Sequence, residues 1–435
     1  MKDFESFNLF TVKPITILWV FMYLVIFTAP IFPGPGTFGF HTVEYSFFTF
    51  TFLLISLTAI TIMQKGIVSF KWDPILYLCI IFLILLFVSI IDAPNKLNGV
   101  LFAGQYIPYF FLMYMVIALV DGEKKYNTVL NSLNILAFLF SLFIIAMALK
   151  FNDRSELDDF LVNNFLMETT KILTYIELSA AILAYRMLNF RLTIFQYFVI
   201  ISIVLAIMLS GSRGNMIVLG LIFFISFIKG TFSVKKILLL IGAFFSMAIM
   251  IFTIGYVKER AALLTGFVSQ ESFEEKITAY SRLYTARIAL ELMESHLFNG
   301  VGTGNLSYFT EDMLKKPTGI PEKIIVYWEG HGQIWYTNTT PLKLGAELGL
   351  GGFLFFFVFY YYMRKRVKRS FPSASDSMKI ILNGVEIFII AGFVHNFTEP
   401  ALTNYYSWFF YGMVISACRI SADRSLHISA NRTSA

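Results

Sequence analysis

This chain predicts an all-α fold, a polytopic bundle of membrane-spanning helices, on three observations. Hydrophobic residues make up 57% of the 435 and charged residues only 14%, with a mean hydropathy of +0.70. A water-soluble domain of this size does not carry such an apolar excess. Apolar runs of about twenty residues, long enough to cross a hydrocarbon core as helices, recur about twelve times. Lysine and arginine gather in alternate connections between those runs, the pattern that orients membrane helices.

The runs fall at 14–32, 46–64, 74–91, 99–120, 130–149, 170–188, 193–210, 214–229, 236–256, 339–362, 379–396 and 400–419. The pair 193–210 and 214–229 reads either as two helices or as one long kinked element. The first run follows a polar stretch, MKDFESFNLFTVK, with no small-residue cleavage site after it, which predicts a retained helix and no cleaved signal peptide. Cys79 and Cys418 both fall within spans, so neither a disulfide framework nor a zinc site is expected. The tail ADRSLHISANRTSA is short and polar and reads as disordered.

With the first residues on the cytoplasmic side, twenty of the 34 Lys and Arg residues lie on inner segments, against five on the short outer connections. Both termini are therefore expected to be cytoplasmic. The basic run MRKRVKRS at 363–370 reads as a topology anchor at the anionic inner surface. The chain as a whole reads as a single integral membrane domain, 1–435, into which 257–338 is inserted between the ninth and tenth spans as a large external loop. That loop holds eight Lys/Arg and ten Asp/Glu, a near-neutral balance that excludes a nucleic-acid surface.

Chemistry-bearing residues gather at or near this outer side. Arg213 lies in LSGSRGN, a turn between two spans. Insertion scales put an arginine at a helix centre about 2.5–3.5 kcal/mol uphill, less near the interface. A nearby anion would account for it, with Ser210, Ser212 and the first N–H groups of the next helix completing a setting for phosphate oxygens. A snorkelling arginine at a helix end is the plainer account. In the loop, YSRLYTARIALELMESHLF at 280–298 reads as an amphipathic helix, with Leu283, Ala286, Ala289, Leu290 and Met293 at helical spacing. It would rest on the membrane or cap the bundle. Arg282 near its start opposes the helix dipole unless an anion is present, and Arg287 competes for the same role.

The segment YWEGHGQIWYTN carries Trp328, Glu329, His331 and Trp335, followed by Asn338. Aromatic residues here suit an interfacial belt. They equally suit stacking on pyranose rings, with His331 or Glu329 as a base near neutral pH. Inside spans, Lys343 and Glu347 stand four apart in TPLKLGAELGLGG and neutralise one another on one helical face. Glu177, Glu386, His395 and Glu399 add buried polarity, which suits either ion sites or a cavity around a polar headgroup. Gly300, Gly302 and Gly304 in NGVGTGN resemble a phosphate loop only superficially, because no Walker lysine follows.

The order SGSRG at a span boundary, SRLYTARIALELMESHLFNGVGTGN in the loop, then LKLGAELGLGGF entering the next helix resembles the bacterial O-antigen polymerase and O-antigen ligase superfamily over roughly 210–352. The resemblance implies metal-independent glycosyl transfer at the periplasmic face of the bacterial inner membrane, without a cofactor. The implied donor is a glycan on undecaprenyl diphosphate, and a polymerase adds a lipid-linked acceptor and a chain-length regulator as partners. By position, Arg213 and Arg282 match the family arginines that contact the diphosphate, and Gly300, Gly302 and Gly304 match the glycine turn. Glu347 and Gly349 match the family's Glu-Leu-Gly. Where family members often carry His-Asn before that span, this chain reads Thr337-Asn338, and His331 lies six positions earlier. That departure tilts the expectation towards polymerase. Transfer of finished glycan to lipid A core and a non-catalytic flippase or transporter are the alternatives. The residues expected to act are then His331, Glu329 and Glu347 in catalysis, Arg213, Arg282, Ser212 and Arg287 on the diphosphate, and Trp328, Trp335 and Asn338 on the glycan.

Overall fold

The computed structural model describes residues 73–151, 161, 169–210, 212–229, 273–306, 308–309, 339–398, 402 and 404–433, with 19–20 and 22–23. The described residues are helical with no strand. In chain order the helices are α1 Ile75–Ser89, α2 Lys96–Leu119, α3 Glu123–Lys150, α4 Thr169–Tyr175, α5 Glu177–Asn189 and α6 Ile194–Ser210. They continue as α7 Arg213–Lys229, α8 Phe273–Ser295, α9 Thr340–Ser370, α10 Asp376–His395 and α11 Tyr405–Thr433.

Four of these, α2, α3, α9 and α10, are long and apolar enough to cross a membrane, and α1, α6 and 214–229 of α7 are shorter apolar helices. The expected spans 46–64 and 236–256 lie outside the described residues, so the count of about twelve has no support from these elements alone. The pair at 193–229 is two helices, parted around Ser212. The expected span 170–188 is broken at Ile176, whose N–H bonds the Leu173 carbonyl at 3.2 Å, three residues back. Helix α11 runs through the tail that the sequence left disordered, as far as Thr433.

Helices α9, α10 and α11 form the centre. α2 packs along α11, α5 and α7 along α10, and α1 and α8 along α9, while α3 and α6 pair with one another. Aromatic rings fill the middle. Phe82 stacks on Phe355 at 4.3 Å, Phe110 meets Trp408 edge-on at 4.6 Å, and Phe359 meets Tyr411 at 4.9 Å. Such pairs add about 0.5–1.5 kcal/mol beyond area burial. Where lipid supplies no hydrophobic contrast, close backbone approach matters more. A Cβ on Gly412 would stand 2.8 Å from the Met113 carbonyl oxygen of α2, and one on Gly384 2.6 Å from Cα of Ile182 of α5.

The two ends of the bundle differ in chemistry. One end is crossed by charge pairs. Arg366 of α9 holds Asp73 through both carboxylate oxygens, at 2.9 and 2.6 Å. Lys229 of α7 meets Glu386 of α10, which also takes Arg364 at 3.3 Å. Ser375 bonds Glu123 at 3.2 Å. The opposite end, which carries α8 and the α6–α7 turn, is fastened mainly by main-chain and side-chain amide hydrogen bonds around a break in α9.

That break is at Gly349, whose φ of 68° and ψ of −161° interrupt an otherwise continuous helix. In an unbroken helix the Leu350 N–H would bond the Ala346 carbonyl. Here Leu350 N–H bonds the Leu297 carbonyl at 2.7 Å, while Val301 N–H takes the Ala346 carbonyl at 2.8 Å and Gly302 N–H takes that of Glu347 at 3.0 Å. The glycine turn after α8 therefore satisfies what the break releases. The turn is fastened on its other side to the α1–α2 connection. Thr303 N–H bonds Ser89 Oγ at 3.1 Å, Asn95 N–H bonds Asn305 Oδ1 at 2.9 Å, and Asn299 bonds Asp92 at 3.0 Å.

Gly300 and Gly349 both need a positive φ, and a Cβ on Gly300 would lie 2.3 Å from the Glu347 carbonyl carbon. Alanine there carries a left-handed penalty of about 1–2 kcal/mol and an overlap of about 1–3 kcal/mol. Gly300→Ala and Gly349→Ala should each lower the thermal unfolding temperature in detergent markedly. Gly220→Ala, where nothing lies within 4 Å of the added carbon, should leave it unchanged or raise it slightly.

Candidate functional site

Arg213 is the first residue of α7, directly after buried Ser212. Ser212 N–H bonds Ser210 Oγ at 3.3 Å, and its own hydroxyl accepts from Asn215 Nδ2 at 2.8 Å. The following Gly214 lies against Thr398, beyond the end of α10, where an added Cβ would stand 3.1 Å from Thr398 Oγ1. Helix α10 thus brings its last turn to the start of α7.

One turn inside that meeting point is a buried acid–imidazole pair. The Glu177 carboxylate, at the α4–α5 break, faces His395 Nδ1 near the end of α10, and the histidine has no exposed surface. Tyr360 of α9 and Tyr411 of α11 lie within electrostatic reach of Glu177 and bond one another at 2.6 Å. Asn396 Nδ2 donates to Tyr360 at 2.7 Å, and its Oδ1 accepts from Thr340 Oγ1 at 2.7 Å. The Asn396 carbonyl accepts the Thr340 N–H at 2.8 Å, one of the donors that a helix start leaves open. A polar seam therefore runs from the α4–α5 break through α10 to the first turn of α9.

Glu347 faces elsewhere. Its buried carboxyl accepts the Gly304 N–H, lies beside Lys343 on the same helix, and is in electrostatic reach of Tyr106 of α2. Lys343 in turn stands 6.0 Å from the Phe102 ring of α2. Asn98 Nδ2 bonds the Gly304 carbonyl at 2.5 Å, so both peptide groups of that glycine are held.

Arg282 is mid-helix in α8, which begins at Phe273 and not near 280. The dipole objection to its placement therefore falls away. Arg287 is exposed and paired with Glu291 one turn on, at 2.8 Å. The buried face of α8 is Tyr284, Thr285, Ile288, Ala289 and Leu292, not the expected line through Leu283 and Leu290, which point away from the protein. Met293 covers Gly345 of α9, where an added Cβ would be 2.5 Å from its sulfur. Arg213 and Arg282 stand on helices linked in series, since α7 packs on α10, α10 on α9 and α9 on α8. Trp328, Glu329, His331, Trp335 and Asn338 lie outside the described residues. Among the described residues no cluster of His, Cys, Asp and Glu has the arrangement of a metal site.

Residues 198–406 match the family model described as O-antigen ligase. This is an O-antigen ligase family segment. It bears out the resemblance to the O-antigen polymerase and ligase superfamily. The family segment runs from within α6 to the start of α11. It therefore contains Arg213, α8, the glycine turn, the α9 break and His395, while Glu177 reaches in from outside it. No curated protein matches the chain. Members of the family are membrane glycosyltransferase-like enzymes, and the match does not separate polymerase from ligase.

The Glu177–His395 pair has a direct test. Removing one partner of a buried pair typically costs about 3–5 kcal/mol, because the other is left uncompensated. Glu177→Ala and His395→Ala should each lower the unfolding temperature in detergent strongly, and the double variant should cost clearly less than the sum of the two. Additive losses would show that the pair is not coupled.

Proposed function

We propose that this chain is a surface-polysaccharide polymerase, a membrane glycosyltransferase that joins undecaprenyl-diphosphate-linked oligosaccharide repeat units at the periplasmic face of the inner membrane. The observation carrying this reading is the placement, within the family-matching segment, of Arg213 at the head of α7 and of the α8 arginines on a helix docked against α9. The replacement of the His-Asn pair by Thr337-Asn338 favours polymerase over ligase.

In this mechanism Arg213 and Arg282 hold the donor diphosphate, with Ser212 and Arg287 as supporting contacts. At about 4 Å and an effective dielectric of ~20, each guanidinium attracts a phosphate charge by about 4 kcal/mol. That exceeds the insertion cost of about 2.5–3.5 kcal/mol for an arginine, so these residues suit an anionic headgroup. The hydroxyl of a second lipid-linked unit attacks the anomeric carbon while the bond to the diphosphate oxygen breaks. His331 or Glu329 takes the hydroxyl proton, and the leaving diphosphate carries away the bonding pair, its growing charge offset by the arginines. Trp328, Trp335 and Asn338 hold the sugars. Glu347 acts through position, holding the glycine turn by Gly304, and the Glu177–His395 pair fixes the end of α10 against which α7 begins.

Purified protein supplied with lipid-linked repeat units should yield a ladder of longer lipid-linked products. Transfer seen only after lipid A core is added would instead establish a ligase, and no covalent product would sink both enzyme readings in favour of a transporter. Arg213→Ala and Arg282→Ala should each lower polymerisation at least tenfold with normal amounts of protein in the membrane. Full activity in both variants would remove the diphosphate clamp.

A further inference from the structure

Helix α8 presents three faces, and only two are explained by what has been described. Tyr284, Ile288, Ala289 and Leu292 are buried, packed with Ala346 of α9, while Arg287, Glu291 and Glu294 form a polar stripe in which Arg287 bonds Glu291. The third face carries Leu283 and Leu290, two turns apart, and the turn that follows α8 extends the line with Leu297 and Phe298. Leu283 is 71% and Phe298 84% exposed, and the other two are exposed as well. Bare leucines and a bare phenylalanine in one continuous stripe are unfavourable in water, at about 25 cal/mol per Å² of apolar surface.

The stripe does not stop at the end of α8. Leu350 N–H bonds the Leu297 carbonyl, and Leu350 opens a second exposed apolar line, Leu350, Leu354, Val358 and Tyr361, down the membrane-spanning helix α9. The line of exposed apolar residues therefore meets the exposed apolar flank of a helix long and apolar enough to cross a membrane. We propose that α8 is seated in the edge of the bilayer, its Leu283–Leu290–Leu297 stripe and Phe298 immersed in lipid acyl chains, with Arg287, Glu291 and Glu294 at the water boundary. A helix with one apolar and one charged side lies in the interface plane in this way, and here a third side is fixed to protein. The membrane boundary then runs along α8, so the 257–338 segment, expected to be a loop in water, is partly a bilayer element.

Site-directed spin labelling in liposomes of phosphatidylethanolamine and phosphatidylglycerol tests this without any activity assay. The two natural cysteines are buried, Cys79 at 3% and Cys418 at 1% exposure, so the unsubstituted chain serves as the unlabelled reference. Nitroxides on Leu283→Cys, Leu290→Cys and Leu297→Cys should relax more with oxygen than with a water-soluble nickel chelate, matching Leu354→Cys on α9. Glu294→Cys should show the opposite order. Stripe labels that follow Glu294→Cys would place α8 in water and overturn the proposal. Labels shielded from both reagents would overturn it too, showing that protein covers the stripe, with dipolar broadening between labels identifying a second copy. Three separate stripe positions keep the test standing if one substitution fails to fold.

Discussion

The architecture at the α8 end of the bundle depends on one exchange of backbone hydrogen bonds. Inside a membrane every peptide group must find a partner within the protein, and the break at Gly349 leaves the Ala346 carbonyl and the Leu350 N–H without each other. The turn at 297–302 takes both. Because that turn is also bonded to the α1–α2 connection through Ser89, Asn95 and Asp92, the break in one helix fixes the position of three others. Glycine is required at Gly300 and Gly349 because each needs a positive φ where its neighbour's backbone comes within van der Waals contact.

The polar residues beneath Arg213 show how a membrane bundle carries ionisable groups. Glu177 and His395 come from helices distant in sequence and face one another, both buried. The neighbouring Asn396 and Thr340 supply side-chain and main-chain bonds to the start of α9. A carboxylate and an imidazole are costly in hydrocarbon unless paired, so their presence between α5 and α10 constrains which faces of those helices meet.

Much of this was legible in the sequence. Apolar runs mark helices because the bilayer imposes a length, and α2, α3, α9 and α10 follow those runs closely. Isolated charges such as Arg213 stand out against the apolar background. The face of α8 was not legible. Leucine and alanine at helical spacing predict an apolar side, yet in a membrane protein an apolar side may be directed at lipid or at protein with equal ease. Here Ile288 and Leu292 go inward and Leu283 and Leu290 outward. The Glu177–His395 pairing was equally hidden, since both residues were visible as buried polarity while nothing in local spacing joins them. The extension of α8 back to Phe273 was missed because FEEKITAYS has little apolar periodicity.

The contrast between the two ends of the bundle has a mechanical consequence. Arg366–Asp73 and the Lys229–Glu386–Arg364 group rivet α1, α7, α9 and α10 together at one end with charge. At the other end, α9 is held to α10 by the Thr340–Asn396 bonds and to the turn after α8 by main-chain bonds around a glycine whose backbone is out of helical register. Separating these helices at the α8 end would therefore break the main-chain bonds that the turn at 297–302 makes to both sides of Gly349, whereas separating them at the other end would break ion pairs.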